Sequence, residues 1–266
     1  MGKYREVTNE LLKLVELKKS GKEISKILNL DYSTVHYKLR KLGINLPNFH
    51  NQLKFDNTVF DEINTEEKAY WLGFLYADGF VSSTNNTVEL SLKGDDIHHL
   101  EKFKKFLNLG REVSLSTINY KGKEFMRCRI CTCDKHFHSR LIELGCIPRK
   151  SLTLKFPSLD IFNKQSLIYD FIRGYVDGDG CLMSTSSGRL KIQIVGTKEF
   201  LEGIRAAFPN IFSEKRKDKR SIGNTYSIDC SHSKADLFSH TLYKSATIYL
   251  NRKYERYKKF AVPLSN

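Results

Sequence analysis

Apolar residues recur at helical spacing near the start of the chain, through Leu11, Leu12, Leu14 and Val15, and again in KEISKILNLDYSTVHYKLRKLGI from Lys22. The second stretch predicts two helices joined by a turn. Ile24, Ile27 and Leu28 pack the first helix, and Asn29 to Asp31 make the turn. Ser33 or Thr34 opens the next helix, with Val35, Leu39 and Leu42 facing inward. A small all-α helix-turn-helix domain over residues 1–46 is expected. A polar linker over 47–64 follows, opening on Pro47 with Asn48, Asn51 and Gln52.

Beyond the linker the pattern repeats. NTEEKAYWLGFLYADGF from Asn64 and KQSLIYDFIRGYVDGDGC from Lys164 are both apolar helical runs that end in an acid followed by glycine, which makes Asp78 and Asp179 equivalent positions. Each run leads into an alternating strand. Val88, Leu90 and Leu92 share one face while Glu89, Ser91 and Lys93 share the other, and later Leu190, Ile192 and Ile194 oppose Lys191 and Gln193. Each strand precedes an amphipathic helix, DIHHLEKFKKFLNL and TKEFLEGIRAAFPNI, which covers the apolar face through Ile97, Leu100, Phe103 and Phe106 or through Phe200, Ile204 and Phe208. The reading is α+β, with two related halves over 65–160 and 161–266.

The outward strand positions carry hydrogen-bonding and cationic side chains: Glu89, Ser91 and Lys93, then Arg127 and Arg129 from FMRCRIC, and Arg189, Lys191 and Gln193 in the second half. One such strand is an ordinary half-solvated sheet. Two related ones on a chain with a formal charge of +14 form a surface suited to a polyanion, and a sheet can read base edges in a major groove. Residues 1–50 hold ten Lys and Arg against five Asp and Glu. His36, Tyr37, Lys38, Arg40 and Lys41 are therefore expected to face DNA from the helix-turn-helix.

The six cysteines lack the spacing of a secreted disulfide framework, so reduced thiols are expected. CRICTCDKHFH, with Cys128, Cys131, Cys133, His136 and His138, raises a zinc site. A core strand with Cys128 beside Met126 and Ile130 is the preferred reading. The first residues lack the apolar run of a signal peptide and no stretch is long enough to span a bilayer, so an intracellular, cytoplasmic protein is expected.

Asp78 and Asp179 carry the chemistry. An acid at a helix C-terminus meets the negative end of the dipole. Gly73, Gly174, Ala77 and Gly178 would let the two helices pack so closely that the acids also repel one another. A divalent cation relieves that conflict and can activate water beside a phosphodiester. Turns built on ADG and DGDG alone would not need matched apolar helices with glycine five residues before each acid.

WLGFLYADG from Trp71 and IRGYVDGDG from Ile172 resemble the paired motifs of LAGLIDADG homing endonucleases, over roughly residues 65–266. The resemblance implies two pseudo-symmetric αββαββα halves whose sheets form a saddle on double-stranded DNA. It implies Asp78 and Asp179 as metal ligands, with the carbonyls of Ala77 and Gly178 assisting, and Lys150 and Lys253 as basic residues near the scissile phosphates. The implied cation is Mg²⁺, with Mn²⁺ as a substitute and Ca²⁺ binding without cleavage. Tyr76 departs from the motif where the second copy keeps Asp177. Two motifs in one chain imply a monomer without an obligate protein partner, cutting a long asymmetric site in the host cell of a mobile element or phage. The alternatives are a binding regulator that has lost cleavage and an intron RNA maturase. An intein is disfavoured by Met1 and the closing Ser265 and Asn266.

Overall fold

The computed structural model describes residues 2–17, 19, 21–44, 55–120, 122–214, 216–217 and 224–260, which fall into two compact units, Met1–Leu53 and Lys54–Asn266.

The first unit holds α1 (Gly2–Glu16), α2 (Gly21–Ile27) and α3 (Tyr32–Lys41). Leu11, Ile24, Val35 and Leu39 form its core, with Leu14, Val15, Leu28, Leu30 and Ile44 packed around them. Asn29 takes a left-handed φ of 48° in the turn, where the Ser25 hydroxyl donates to the Leu30 carbonyl at 2.6 Å. Two expected core residues lie outside: Ile27 and Leu42 are exposed. Ile27 is the last residue of α2 and Leu42 follows the last residue of α3, so among the described residues both lie at helix ends, outside the core of Leu11, Ile24, Val35 and Leu39. α3 also starts earlier than Ser33, at Tyr32 behind Asp31.

The second unit begins before the first repeat. Val59, Phe60 and Ile63, in the stretch read as connecting chain, are buried, and Ile63 bridges to Phe162. The part of that stretch before Phe55 lies outside the described residues. From there the first half runs α4 (Glu66–Asp78), β1 (Gly79–Val81), β2 (Thr87–Lys93), α5 (Ile97–Phe106), β3 (Ser114–Tyr120), β4 (Lys123–Cys133) and α6 (Lys135–Glu143). The second half repeats it as α7 (Leu167–Asp179), β5 (Gly180–Ser184), β6 (Leu190–Gly196), α8 (Lys198–Ala207), β7 (Arg216–Lys217), β8 (Tyr226–Ser231) and α9 (Ser233–Tyr243), and adds α10 (Asn251–Phe260). Two antiparallel sheets result, in the orders β1-β2-β4-β3 and β5-β6-β8-β7. The expected pair of αββαββα halves is thus formed.

Alternation sets the faces. Val88, Leu90 and Leu92 are buried with Cys128 and Ile130 of β4, and Leu190, Ile192 and Ile194 with Ile228 and Cys230 of β8. Met126, expected beside Cys128 in the core, is exposed instead, because the pairing of β2 with β4 ends at Lys93 and Arg127 and Met126 lies one residue beyond it, where β3 and β4 run on as a two-stranded ribbon; Leu115 and Phe125 on the same ribbon are exposed too.

α4 and α7 form the centre of the unit. Every residue of α4 from Ala69 to Tyr76 is buried, as an all-apolar helix requires. The helices touch through backbone: a Cβ on Gly73 would overlap the Phe171 carbonyl oxygen, and one on Gly174 the Tyr70 carbonyl oxygen. Only glycine permits this crossing.

Candidate active site

The close crossing carries the chain of each half to the same end of the helix pair. α4 stops at Asp78 and α7 at Asp179, each followed by a glycine in extended conformation that starts a strand. A Cβ on Gly178 would stand 3.1 Å from Oδ2 of Asp78, so the end of α7 lies against the first acid. The two carboxylates therefore converge. Asp179 is exposed and Asp78 half-buried, but both sit on a floor crowded by protein atoms, and the thin hydration there governs their titration.

Loss of water lifts the Asp78 carboxyl to about 6, the charge of Asp179 adds to the rise, and Lys150, Lys253 and Arg252 oppose it. The Asp179 carboxyl is raised by the same loss of water, against the pull of Lys150 and Lys253. The repulsion belongs to the pair rather than to either acid. Tyr175 donates to the Val195 carbonyl at 2.9 Å beside them. An open hollow of about 240 Å³ flanks Asp179, lined by Ala77, Lys150, Tyr175 and Thr197 among others.

Lys150 and Lys253 take matching places. The Lys150 ammonium donates to the carbonyl of Gly79, the residue after Asp78. The Lys253 ammonium donates to the carbonyl of Gly180, the residue after Asp179, and to Val176 at 3.0 Å. Lys150 is half-buried on a 3₁₀ turn, whereas Lys253 is buried in the first turn of α10, and burial draws its ammonium below the usual range. Each acid thus has a cation bonded to the next carbonyl along the chain.

The donor set fits a hard divalent cation. Two raised, converging carboxylates would be relieved by it. Ala77 and Gly178 lie in the last turns of their helices, where carbonyls lack intrahelical partners and oxygen is the preferred ligand atom. Among the described residues no group of three His, Cys, Asp or Glu side chains is placed to hold a metal. The CRICTCDKHFH segment accordingly scatters: Cys128 is buried and donates to Lys93, His136 pairs with Asp61 at 2.7 Å, and His138 meets the Ser82 carbonyl at 2.9 Å.

The tyrosine that departs from the motif is structural. The Tyr76 hydroxyl donates to the Leu144 carbonyl. Its counterpart Asp177 is fully buried and accepts from Tyr70 at 2.7 Å, Tyr243 at 2.6 Å and the Leu250 amide at 2.7 Å. Asp177 is therefore a buried anchor between the halves. The sequence shows it only as an acid two residues before Asp179.

The open sheet faces hold most of the expected contact residues. In the first sheet Ser91 stands opposite Arg129 and Lys93 opposite Arg127, while Glu89 pairs with Arg129 at 3.4 Å. In the second, Gln193 stands opposite Asp229, whose carboxylate pairs with Lys191 at 2.7 Å. Arg189 departs from this row. It lies in the turn before β6 and pairs with Asp236 of α9, in the helix layer, at 2.9 Å. Phe80 and Cys181, exposed on β1 and β5 two residues after the acids, join the open faces and are not among the contact residues read from the sequence. Strand parity from Asp78 and Asp179 would have found them. In the first unit, His36, Tyr37, Arg40 and Lys41 are exposed on α3 and Lys38 is half-buried.

No protein-family model and no curated protein matches the chain. Among solved structures it is similar to the homing endonuclease I-WcaI bound to its DNA recognition sequence, with 14% identity, 84% of this chain and 96% of that chain covered, and a TM-score of 0.53. The I-LtrWI LAGLIDADG homing endonuclease bound to target DNA follows at 13% identity, with coverages of 74% and 89% and a TM-score of 0.47. The meganuclease I-SmaMI bound to uncleavable DNA is 16% identical, with coverages of 71% and 86% and a TM-score of 0.43. The first of these carries the argument: the chain has the homing-endonuclease fold.

Proposed function

We propose that this chain, built on the fold it shares with a homing endonuclease, is a sequence-specific double-stranded DNA endonuclease that hydrolyses one phosphodiester bond in each strand with divalent metal. The observation that carries this reading is the pair of converging, raised carboxylates Asp78 and Asp179, each followed by a carbonyl bonded to its own half's lysine.

In this reading Asp78 and Asp179 hold the cation, taken as Mg²⁺, with the carbonyls of Ala77 and Gly178 completing its oxygen ligands. When bound, the metal supplies Lewis-acid stabilisation and a more acidic water. Lys150 and Lys253 bring positive charge to the two scissile phosphates from fixed positions on the carbonyls behind the acids. Glu89, Ser91, Lys93, Arg127, Arg129, Lys191 and Gln193 meet the duplex from the open sheet faces, and α3 adds phosphate or base contacts through His36, Tyr37, Lys38, Arg40 and Lys41. Because the two halves differ along these rows, the site is asymmetric and one chain suffices.

The test is digestion of a large randomised duplex pool in Mg²⁺, followed by sequencing of the ends. Paired breaks within one long asymmetric sequence are expected. Tight duplex binding with no cleavage in either Mg²⁺ or Mn²⁺ would overturn the reading in favour of a regulator. Preferential binding of structured RNA would favour a maturase.

A further inference from the structure

Each lysine grips its own half, but the segment that carries it is held by the other half. Upstream of Lys253, Glu66 of α4 accepts from the Thr247 amide and hydroxyl, each at 2.8 Å. Lys102 of α5 donates to the Tyr249 carbonyl at 3.0 Å and to Asn251 Oδ1 at 2.9 Å. Arg252 Nε donates to Asp96 Oδ2 at 3.0 Å and to Oδ1 at 3.3 Å. In the reverse direction, Thr197 of the second half donates its hydroxyl to the Leu154 carbonyl and Asn224 donates to the Leu152 carbonyl at 3.3 Å, both just after Lys150.

Asp96 and Thr197 occupy equivalent places, as the residues that precede α5 and α8. Thr197 performs the local task of such a residue, accepting from the Phe200 amide at 3.1 Å. Asp96 makes no such cap, although aspartate is well suited to it. Its buried carboxylate is turned to the exposed Arg252 instead, the neighbour of Lys253 in the first turn of α10. A buried acid left without that partner would be costly, so the contact fixes where α10 begins.

We propose that Asp96 and Thr197 are positioning residues acting crosswise: Asp96, through Arg252, sets Lys253 beside the second-half acid, and Thr197, through Leu154, sets Lys150 beside the first-half acid. The assignment rests on the endonuclease reading. It makes each cutting centre depend on a residue of the opposite half, through a charged contact on one side and a neutral one on the other. Loss of either contact therefore biases the two strand cuts in opposite directions.

The test uses the full-length protein and the Asp96→Ala and Thr197→Val variants on a duplex carrying the recovered site, with the two strands labelled differently. Strand-specific single-turnover rates are measured alongside amide hydrogen exchange of the free proteins. Asp96→Ala is expected to speed exchange over 247–253, with 150–154 unchanged, and to slow one strand's cut roughly tenfold, as misplacement of a charged group does, so that nicked duplex accumulates. Thr197→Val is expected to slow the other strand's cut and loosen 150–154. Asp96→Glu, which keeps the charge, is expected to recover most of the lost rate. Equal slowing of both strands, or unchanged exchange over 247–253 in Asp96→Ala, would overturn the crosswise assignment and leave the endonuclease reading in place. A wild type that cuts neither strand while Asp96→Ala still loosens 247–253 would remove the endonuclease reading, and the catalytic assignment with it.

Discussion

Asp78 and Asp179 are held where an isolated carboxylate prefers its proton, and the sign of the consequence follows from linkage. Because burial pushes the folded Asp78 carboxyl up to about 6, from the ordinary aspartate value of 3.8, the metal-free fold is favoured by acid. The stabilisation from this group is full below about pH 4 and is lost as the pH rises through about 6. A divalent cation binds the deprotonated form and reverses the preference. The rise in melting temperature given by saturating Mg²⁺ is therefore expected to shrink as the pH falls from 7 to 5; a rise independent of pH over that range would count against metal on Asp78. Lys253→Met is expected to lower the cleavage rate about a hundredfold, measured in single turnover, by removing a fixed cation from the charge that develops at the phosphate. At this scale the acids were legible because each ends a matched motif. Lys150 and Lys253 came only with the resemblance, and their carbonyl bonds were not readable because they close between residues 71 and 73 positions apart.

The α4–α7 crossing is the element on which the site depends. A methyl group on Gly174 would overlap the Tyr70 carbonyl, and backbone cannot swing aside as a side chain can. Gly174→Ala is expected to destabilise the protein by about 1–3 kcal/mol in urea unfolding. Gly110→Ala, with open space around the new methyl, is expected to stay within about 0.5 kcal/mol. Equal effects of the two substitutions would mean that the helices are not in backbone contact. Helices and strands were readable from periodicity because α5 and α8 each bury one stripe and β2 and β6 each bury one face. Parity failed where the sheet narrows. Met126 keeps the right parity for the core but lies one residue past the end of the β2–β4 pairing, and Val59 and Phe60 sit in turns whose burial no period announces.

For the molecule as a whole, the +14 charge predicts binding dominated by release of counterions from the duplex. Log affinity is expected to fall linearly and steeply with log salt, and Arg40→Ala is expected to reduce that slope by about 1 if α3 contacts a phosphate. An unchanged slope would place α3 away from the backbone. The internal repeat made the two halves visible in the sequence, since equivalent acids were followed by equivalent strands and helices. What joins the halves was hidden. Buried Arg173 donates to Glu66 at 2.7 Å and to the Ile248 carbonyl at 3.0 Å, and Asp177 gathers Tyr70, Tyr243 and Leu250. Such contacts link side chains far apart in the chain and leave no period to read. The central claim concerns the two acids, and the most direct measurement is cleavage of the recovered site in Mg²⁺ by the wild type, Asp78→Asn and Asp179→Asn, with duplex affinity measured in parallel. The account predicts that the wild type cuts both strands, while each variant binds within about threefold of wild type and fails to make a double-strand break. A variant that still makes the double-strand break at the wild-type rate would contradict it.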